Sequence, residues 1–249
     1  YYTTVAISDV HLGAPHSQAR EVSEFLSSVE CDRLIMNGDI IDGWQLHNSD
    51  DKWNSSHSAF FRVIMKMMEN HSTEVIYVSG NHDDFLDPIV PSKLFNISFV
   101  SEYILREEKH SYVVIHGHAF DSITARFRWI SRLGDIGYNL LLKFNNMWNR
   151  ARMRHGKEYY SFSKVIKHKV KQAVSLISGF ESDLESFARA RGCDGIICGH
   201  IHNPEDKMLK GGIHYLNSGD WVESLSALVE DFDGNWSILR YNDFVKPQP

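Results

Sequence analysis

The chain has 249 residues, 43% of them apolar, and a formal net charge of −6. That size and composition suit one large α/β domain, or one domain carrying an insertion. No run of about 18 consecutive apolar residues occurs, so no membrane-spanning helix is expected. The three cysteines, Cys31, Cys193 and Cys198, do not make a disulfide framework and fit a reducing compartment.

The sequence enters a strand almost at once, Val5-Ala6-Ile7, with no basic segment and apolar run before it, so no secretory signal is expected. That strand ends in Asp9-Val10-His11. A loop follows, and Ser17 is placed to cap a helix in which Ala19, Val22, Phe25, Leu26 and Val29 recur at helical spacing. The strand Leu34-Ile35-Met36 delivers Gly38-Asp39, with Asp42 three residues later. Beyond it lie Trp44, His47, Asp50, Asp51 and Trp53, a loop whose aromatics either rim a pocket or cover the core. Phe60, Phe61, Ile64, Met65 and Met68 mark a second amphipathic helix, its methionines packed in the core.

Val75-Ile76-Tyr77-Val78 reads as a buried strand and leads into Gly80-Asn81-His82-Asp83. Tyr112 to Ile115 leads into His116-Gly117-His118. From Asp121 to about Gly192 the pattern is helical, with Phe127, Ile130, Leu133, Leu140, Leu141, Phe144, Met147 and Trp148 every three or four residues. This stretch is longer than a crossover connection requires, and part of it reads as a cap. Gly195 to Cys198 then leads into Gly199-His200-Ile201-His202, and Cys198 reads as a buried core thiol. Three strands close the sequence, at 213–216, 226–229 and 236–239, with Asp233-Gly234 as a hairpin turn. His47, His57 and His214 have no role legible in the sequence.

Each polar turn is commonplace alone. Five apolar strands that each end in metal-ligand residue types are not. The series Asp9-x-His11, Gly38-Asp39-x-x-Asp42, Gly80-Asn81-His82-Asp83, His116 and Gly199-His200-x-His202 resembles the calcineurin-like metallophosphoesterase superfamily. The resemblance spans nearly the whole chain, 1–249, as a single domain. It implies an α/β fold in which a two-sheet β-sandwich is flanked by helices, with a helical cap inserted at 121–192.

The resemblance also implies a ligand set. Asp9, His11, Asp39 and His202 would hold one divalent ion, and Asp39, Asn81, His116 and His200 a second, Asp39 bridging. Imidazole and carboxylate donors without thiolates suit Mn, Fe or Zn, and Mn is favoured by the finer resemblance below. His82, beside a ligand but outside the set, would protonate the leaving oxygen, with Asp42 orienting it. His118 is expected to contact substrate or line the cleft.

A finer resemblance is to UDP-2,3-diacylglucosamine diphosphatases and their relatives in lipid A assembly. It is carried by 8–13, 38–44, 80–86 and 217–223. Those enzymes release UMP and a lipid-linked sugar 1-phosphate. The best-known branch has Arg where His82 stands and Glu where Asp42 stands, so this chain resembles the histidine-type branch.

Between Lys143 and Lys171 there are nine Lys or Arg and one acid, Glu158. Lys164, Lys167 and Lys171 share one face of a helix, and Arg154 lies just before them. The plain reading is a solvated face over packed apolar residues. The sharper one is a surface for the substrate's anionic groups and for an anionic membrane. On that reading the enzyme is cytoplasmic and peripheral on the inner membrane. A soluble nucleotide or cyclic-nucleotide phosphodiesterase, a nuclease and a non-catalytic scaffold remain the alternatives, nucleic acid being the less favoured partner.

Overall fold

The computed structural model describes residues 1–47, 53–107, 109–120 and 179–244. Two compact units divide the chain: Tyr1–His118 together with Glu185–Pro249, and Ala119–Leu184. Of the expected helical insert, 121–178 lies outside the described residues, and with it Arg154, Lys164, Lys167 and Lys171. Within the smaller unit, Phe120 meets Phe180 edge-on at 6.0 Å. A helix covers 179–190, and Gly192 beyond it takes a φ of +65°. Among the described residues, no helix is long and apolar enough to cross a membrane.

The larger unit is built on two mixed sheets flanked by helices. Seven strands make the first sheet: β1 (Tyr2–Ile7), β2 (Cys31–Asn37), β3 (Glu74–Val78), β4 (Ser92–Leu94), β5 (Ile97–Val100), β11 (Ser226–Glu230) and β12 (Trp236–Arg240), in the order β12-β11-β1-β2-β3-β5-β4. The second has β6 (Tyr103–Arg106), β7 (Ser111–Val114), β8 (Gly195–Cys198), β9 (Glu205–Met208) and β10 (His214–Asn217), in the order β6-β7-β8-β10-β9. β1, β2, β3 and β5 run parallel, as do β7, β8 and β10. Parallel strands buried on both faces need apolar side chains at every position, hence the unbroken Val/Ile/Leu runs.

Strand alternation sorts these runs into two cores. Val5, Ile7, Leu34, Met36, Val75 and Tyr77 cluster with residues of α1 (Ala19–Ser28) and α3 (Ser55–His71). Ala6, Ile35, Ile76 and Val78 point the other way and cluster with Leu105, Val114, Ile197 and Leu216 of the second sheet. Each such side chain, fully withdrawn from water, contributes roughly 1.5–3 kcal/mol. The sheets are thereby clamped with the C-terminal ends of β1, β2, β3, β7 and β8 each leading into a polar turn.

The sequence reading needs four corrections here. Ser17 does not cap α1; its hydroxyl donates to the Val10 carbonyl at 2.7 Å, and Gln18 occupies the cap position without a side-chain bond. In α3 the core methionine is Met67, while Met65 is 56% exposed, because Phe60, Ile64 and Met67 share the inward face. Trp44 sits in a short helix, α2 (Gly43–His47), rather than a loop. Strands β4, β5, β6 and β9 went unread, being short, half-exposed or, in β9, charged throughout until Met208.

Candidate metal centre

The strand-end residues converge. His202 Nε2 lies 3.1 Å from Asp9 Oδ1, His116 Nε2 lies 3.2 Å from Asp39 Oδ2, and His11 Nε2 lies 3.9 Å from both carboxylates. Among the described residues, ligand-type atoms within 4.8 Å of one another form three groups: Asp9, His11 and His202; Asp39, His116 and His200; and His11, Asp39 and His82.

The chain is bent hard to achieve this. Asp9, His11, Asp39, His200 and His202 all hold φ between 50° and 66°, the left-handed region that residues with a Cβ rarely enter. Such conformations persist only where surrounding structure over-determines them, and they collect at functional sites. Gly80 has no alternative residue: a Cβ there would lie 2.3 Å from Asp39 Oδ1 and 2.4 Å from the Asp39 nitrogen.

Each carboxylate is split into a held oxygen and a free one. Asp39 Oδ1 accepts the His82 backbone N–H at 2.8 Å, which turns Oδ2 into the cluster. Asp9 Oδ2 accepts the His200 N–H at 2.9 Å and the Ser8 hydroxyl at 2.5 Å, which turns Oδ1 inward. His116 is fixed in the same way. Its Nδ1 donates to the Asn37 carbonyl at 2.8 Å, which turns Nε2 toward the carboxylates of Asp39 and Asp9.

The donor set fits divalent cations. Asp9 Oδ1, Asn81 Oδ1 and His116 Nε2 are buried without a hydrogen-bond partner. Burial would raise the carboxyls of Asp9 and Asp39, but His116 and the other imidazoles hold both below their ordinary value. Burial would lower His116, but Asp39 and Asp9 push it up to about 10. A buried cluster that draws a proton onto an imidazole this strongly offers a bound cation the same place.

His82, which shares a group with His11 and Asp39, also faces Asp42. Its Nδ1 lies 3.2 Å from Asp42 Oδ1, and the other oxygen of Asp42 lies 3.4 Å from His11 Nδ1. Its side chain keeps 22% of its surface, whereas that of His116 keeps none. His118 is exposed, its ring 5.7 Å from that of His116 and 6.5 Å from that of His200.

Residues 2–204 match the family model described as calcineurin-like phosphoesterase. The chain belongs to that family. The calcineurin-like phosphoesterases are metal-dependent hydrolases, and this chain is one of them. No curated protein matches the sequence. Similar solved structures include a predicted phosphoesterase from Streptococcus pneumoniae TIGR4, 16% identical with a TM-score of 0.43, covering 99% of this chain and 93% of its own. Vacuolar Protein Sorting 29 from Cryptosporidium parvum is 14% identical with a TM-score of 0.43, covering 95% and 94%. An archaeal phosphodiesterase is 13% identical with a TM-score of 0.41, covering 95% and 98%.

This calcineurin-like phosphoesterase also uses residues the sequence reading passed over. Asp83 is fully buried and accepts from Ile40 N (3.3 Å), Ile41 N (2.9 Å), Gly80 N (3.3 Å) and the Tyr77 hydroxyl (2.8 Å), tying the turn after β3 to the turn after β2. Asp220 accepts from Val222 N at 2.8 Å and Ser224 N at 3.2 Å, and stands 4.0 Å from His202 Nδ1. Both stand in stretches that carry the resemblance, but neither role is legible there, since each acts through backbone groups brought in by the fold. Two of the unassigned histidines are structural. His57 completes a capping box with Asn54 at the start of α3, and His214 bridges the Tyr112 hydroxyl and Asp206.

Proposed function

We propose that the chain hydrolyses a phosphoester or pyrophosphate bond at a dinuclear centre, with Mn the favoured metal and Fe or Zn the alternatives. Asp9, His11, Asp39 and His202 would hold one ion and Asp39, Asn81, His116 and His200 the other. The observation that carries this reading is Asp39, whose Oδ2 lies 3.2 Å from His116 Nε2 and 3.9 Å from His11 Nε2, one residue from each of the two sets. Two divalent ions held there would supply Lewis acidity to the phosphoryl oxygens and a nucleophile at neutral pH.

The chain's own residues do the rest. Backbone N–H groups fix Asp9 and Asp39 in the ligating rotamer before substrate arrives. Asp42 Oδ1 stands 3.2 Å from Nδ1 of His82, which leaves Nε2 as the proton donor. As the P–O bond breaks, that proton passes to the leaving oxygen.

For substrate we favour UDP-2,3-diacylglucosamine or a related nucleotide-linked lipid, giving UMP and a lipid sugar 1-phosphate. The stretches at 8–13, 38–44, 80–86 and 217–223 support it. The lysines of the insert would place the enzyme on the cytoplasmic face of an anionic inner membrane.

His82→Ala is expected to lower kcat by roughly 10²–10⁴-fold on a poor leaving group, with metal content unchanged, and Asp42→Asn to act in the same direction more weakly. An activated aryl ester needs little protonation and should be largely spared. Near-normal turnover of the poor leaving group by His82→Ala would remove the acid role. Detergent-dispersed UDP-2,3-diacylglucosamine beside a soluble diester tests the substrate, and UMP release must dominate. Reversing Lys164, Lys167 and Lys171 to Glu should cut lipid turnover and vesicle binding and leave the soluble diester untouched. Equal loss of both activities would make the insert structural.

A further inference from the structure

Trp44 is 49% exposed, yet its indole lies over the His82 ring with 4.1 Å between centroids and 33° between planes. The His11 ring meets His82 edge-on at 4.7 Å and 88°. Asp42 supplies the third contact at Nδ1, and its Oδ1 also accepts the Gln45 N–H at 2.9 Å in α2, the element that carries Trp44. The Gly43 N–H donates to the His82 carbonyl at 3.0 Å, and the Trp44 indole N–H reaches Asp84 at 3.4 Å. One short helix is thus tied by its backbone to the residue whose ring its indole covers.

These contacts do different things. The torsion that turns an imidazole about its Cβ–Cγ bond is broad and weakly restrained. A single contact at Nδ1 fixes one point of the ring and leaves it free to tilt about that point. A flat indole against the face removes the tilt. Trp44 belongs to neither of the two apolar cores, and half of it faces water. We propose that Trp44 is a positioning residue that locks the plane of His82, so that Nε2 stays aimed at the leaving oxygen. The inference rests on the proton-donor role given above to His82.

Misplacing a catalytic group by about an ångström costs up to about 10²-fold in rate. Trp44→Ala is therefore expected to lower kcat roughly 10- to 100-fold on a poor leaving group, with KM within about twofold and an activated aryl ester nearly unaffected. Trp44→Phe keeps a flat face and should restore most of the rate. If Trp44→Ala proves unfolded, Trp44→Leu, which keeps apolar cover without a flat face, runs the same comparison. A second readout needs no turnover. In the metal-free protein the His82 ring protons lie under the indole, and their ring-current NMR shift should vanish in Trp44→Ala and persist in part in Trp44→Phe.

A raised KM with unchanged kcat would make Trp44 a wall of the substrate site and overturn the proposal. Equal losses on both leaving groups, or a Phe variant as impaired as Ala, would overturn it too. The proton-donor reading fails separately: then His82→Ala itself shows no dependence on the leaving group, while the NMR comparison still reports whether Trp44 orders the ring.

Discussion

Asp83 shows what a single residue does for this centre. Four donors converge on its carboxylate, three of them backbone N–H groups from the two turns that carry Asp39 and Asn81. Burial, with the Asp39 charge next to it, pushes its carboxyl up to about 6. Asp83→Asn turns an NH₂ toward donors and strands at least one of them, at about 1–3 kcal/mol per unsatisfied group. We expect a lower urea midpoint and weaker metal retention. Tyr77→Phe removes only one hydroxyl, costs about 1 kcal/mol and should leave metal retention intact. An Asp83→Asn protein as stable and as metal-loaded as the wild type would show that the two turns hold themselves. The residues that converge at the strand ends were legible as candidates in the sequence because each follows an apolar strand in a turn of Asp, Asn or His. Asp83 stood in the same tetrapeptide, but its role depends on the β2 turn lying beside it, and no spacing announces that. Trp44 was legible only as an aromatic near a site, since its contact with His82 crosses nearly forty positions of sequence.

At the scale of the strand, the central parallel strands could be read from composition alone, because burial on both faces forces an unbroken apolar run. Three of the four edge strands, β4, β6 and β9, could not. β9 is Glu-Asp-Lys-Met and β4 is fully exposed, so neither has a buried face to leave a period. β11 is the exception inside the core. All five of its residues are buried, and the last is Glu230, opposite Thr4 of β1 and Trp236 of β12. One of its carboxylate oxygens has no partner, and burial raises its pKa above the ordinary 4.5. The unfolded chain then releases the proton first as pH rises. The stability that the neutral carboxyl allows is fully present below 4.5 and is lost as pH climbs through the raised folded value. Glu230→Gln should therefore stabilise the metal-free protein at pH 7 by about 1–3 kcal/mol and make little difference near pH 4. Urea midpoints at the two pH values check this, and an advantage that fails to shrink at low pH would mean the effect is not ionisation.

Across the whole of the larger unit, the metal centre is also a seam. Asp9, Asp39 and Asn81 come from turns after β1, β2 and β3 of the seven-stranded sheet, while His116, His200 and His202 come from turns after β7 and β8 of the five-stranded one. Between the sheets the core is apolar, with Ile35, Ile76, Ile197 and Leu216 fully or almost fully buried. At the ligand edge it ends in charge, and there five residues with left-handed φ hold carboxylates together. Without cations that edge keeps its strain and its crowded carboxylates. With them it becomes a cross-link between sheets, formed in the folded state alone. Binding confined to the folded state stabilises by RT ln(1 + [L]/Kd), about 2.7 kcal/mol at a hundredfold excess over Kd. For a chain of this size each kcal/mol moves Tm by about 2–4 °C, so chelation should lower Tm by roughly 5–10 °C, and restoring Mn²⁺ should recover it. Asp39→Ala, which removes the oxygen between the two clusters, should melt at one temperature whether or not metal is present. If the wild type also melts at one temperature with and without chelator, while titration calorimetry shows the metal to be bound, the ions sit on a seam that the apolar core has already closed.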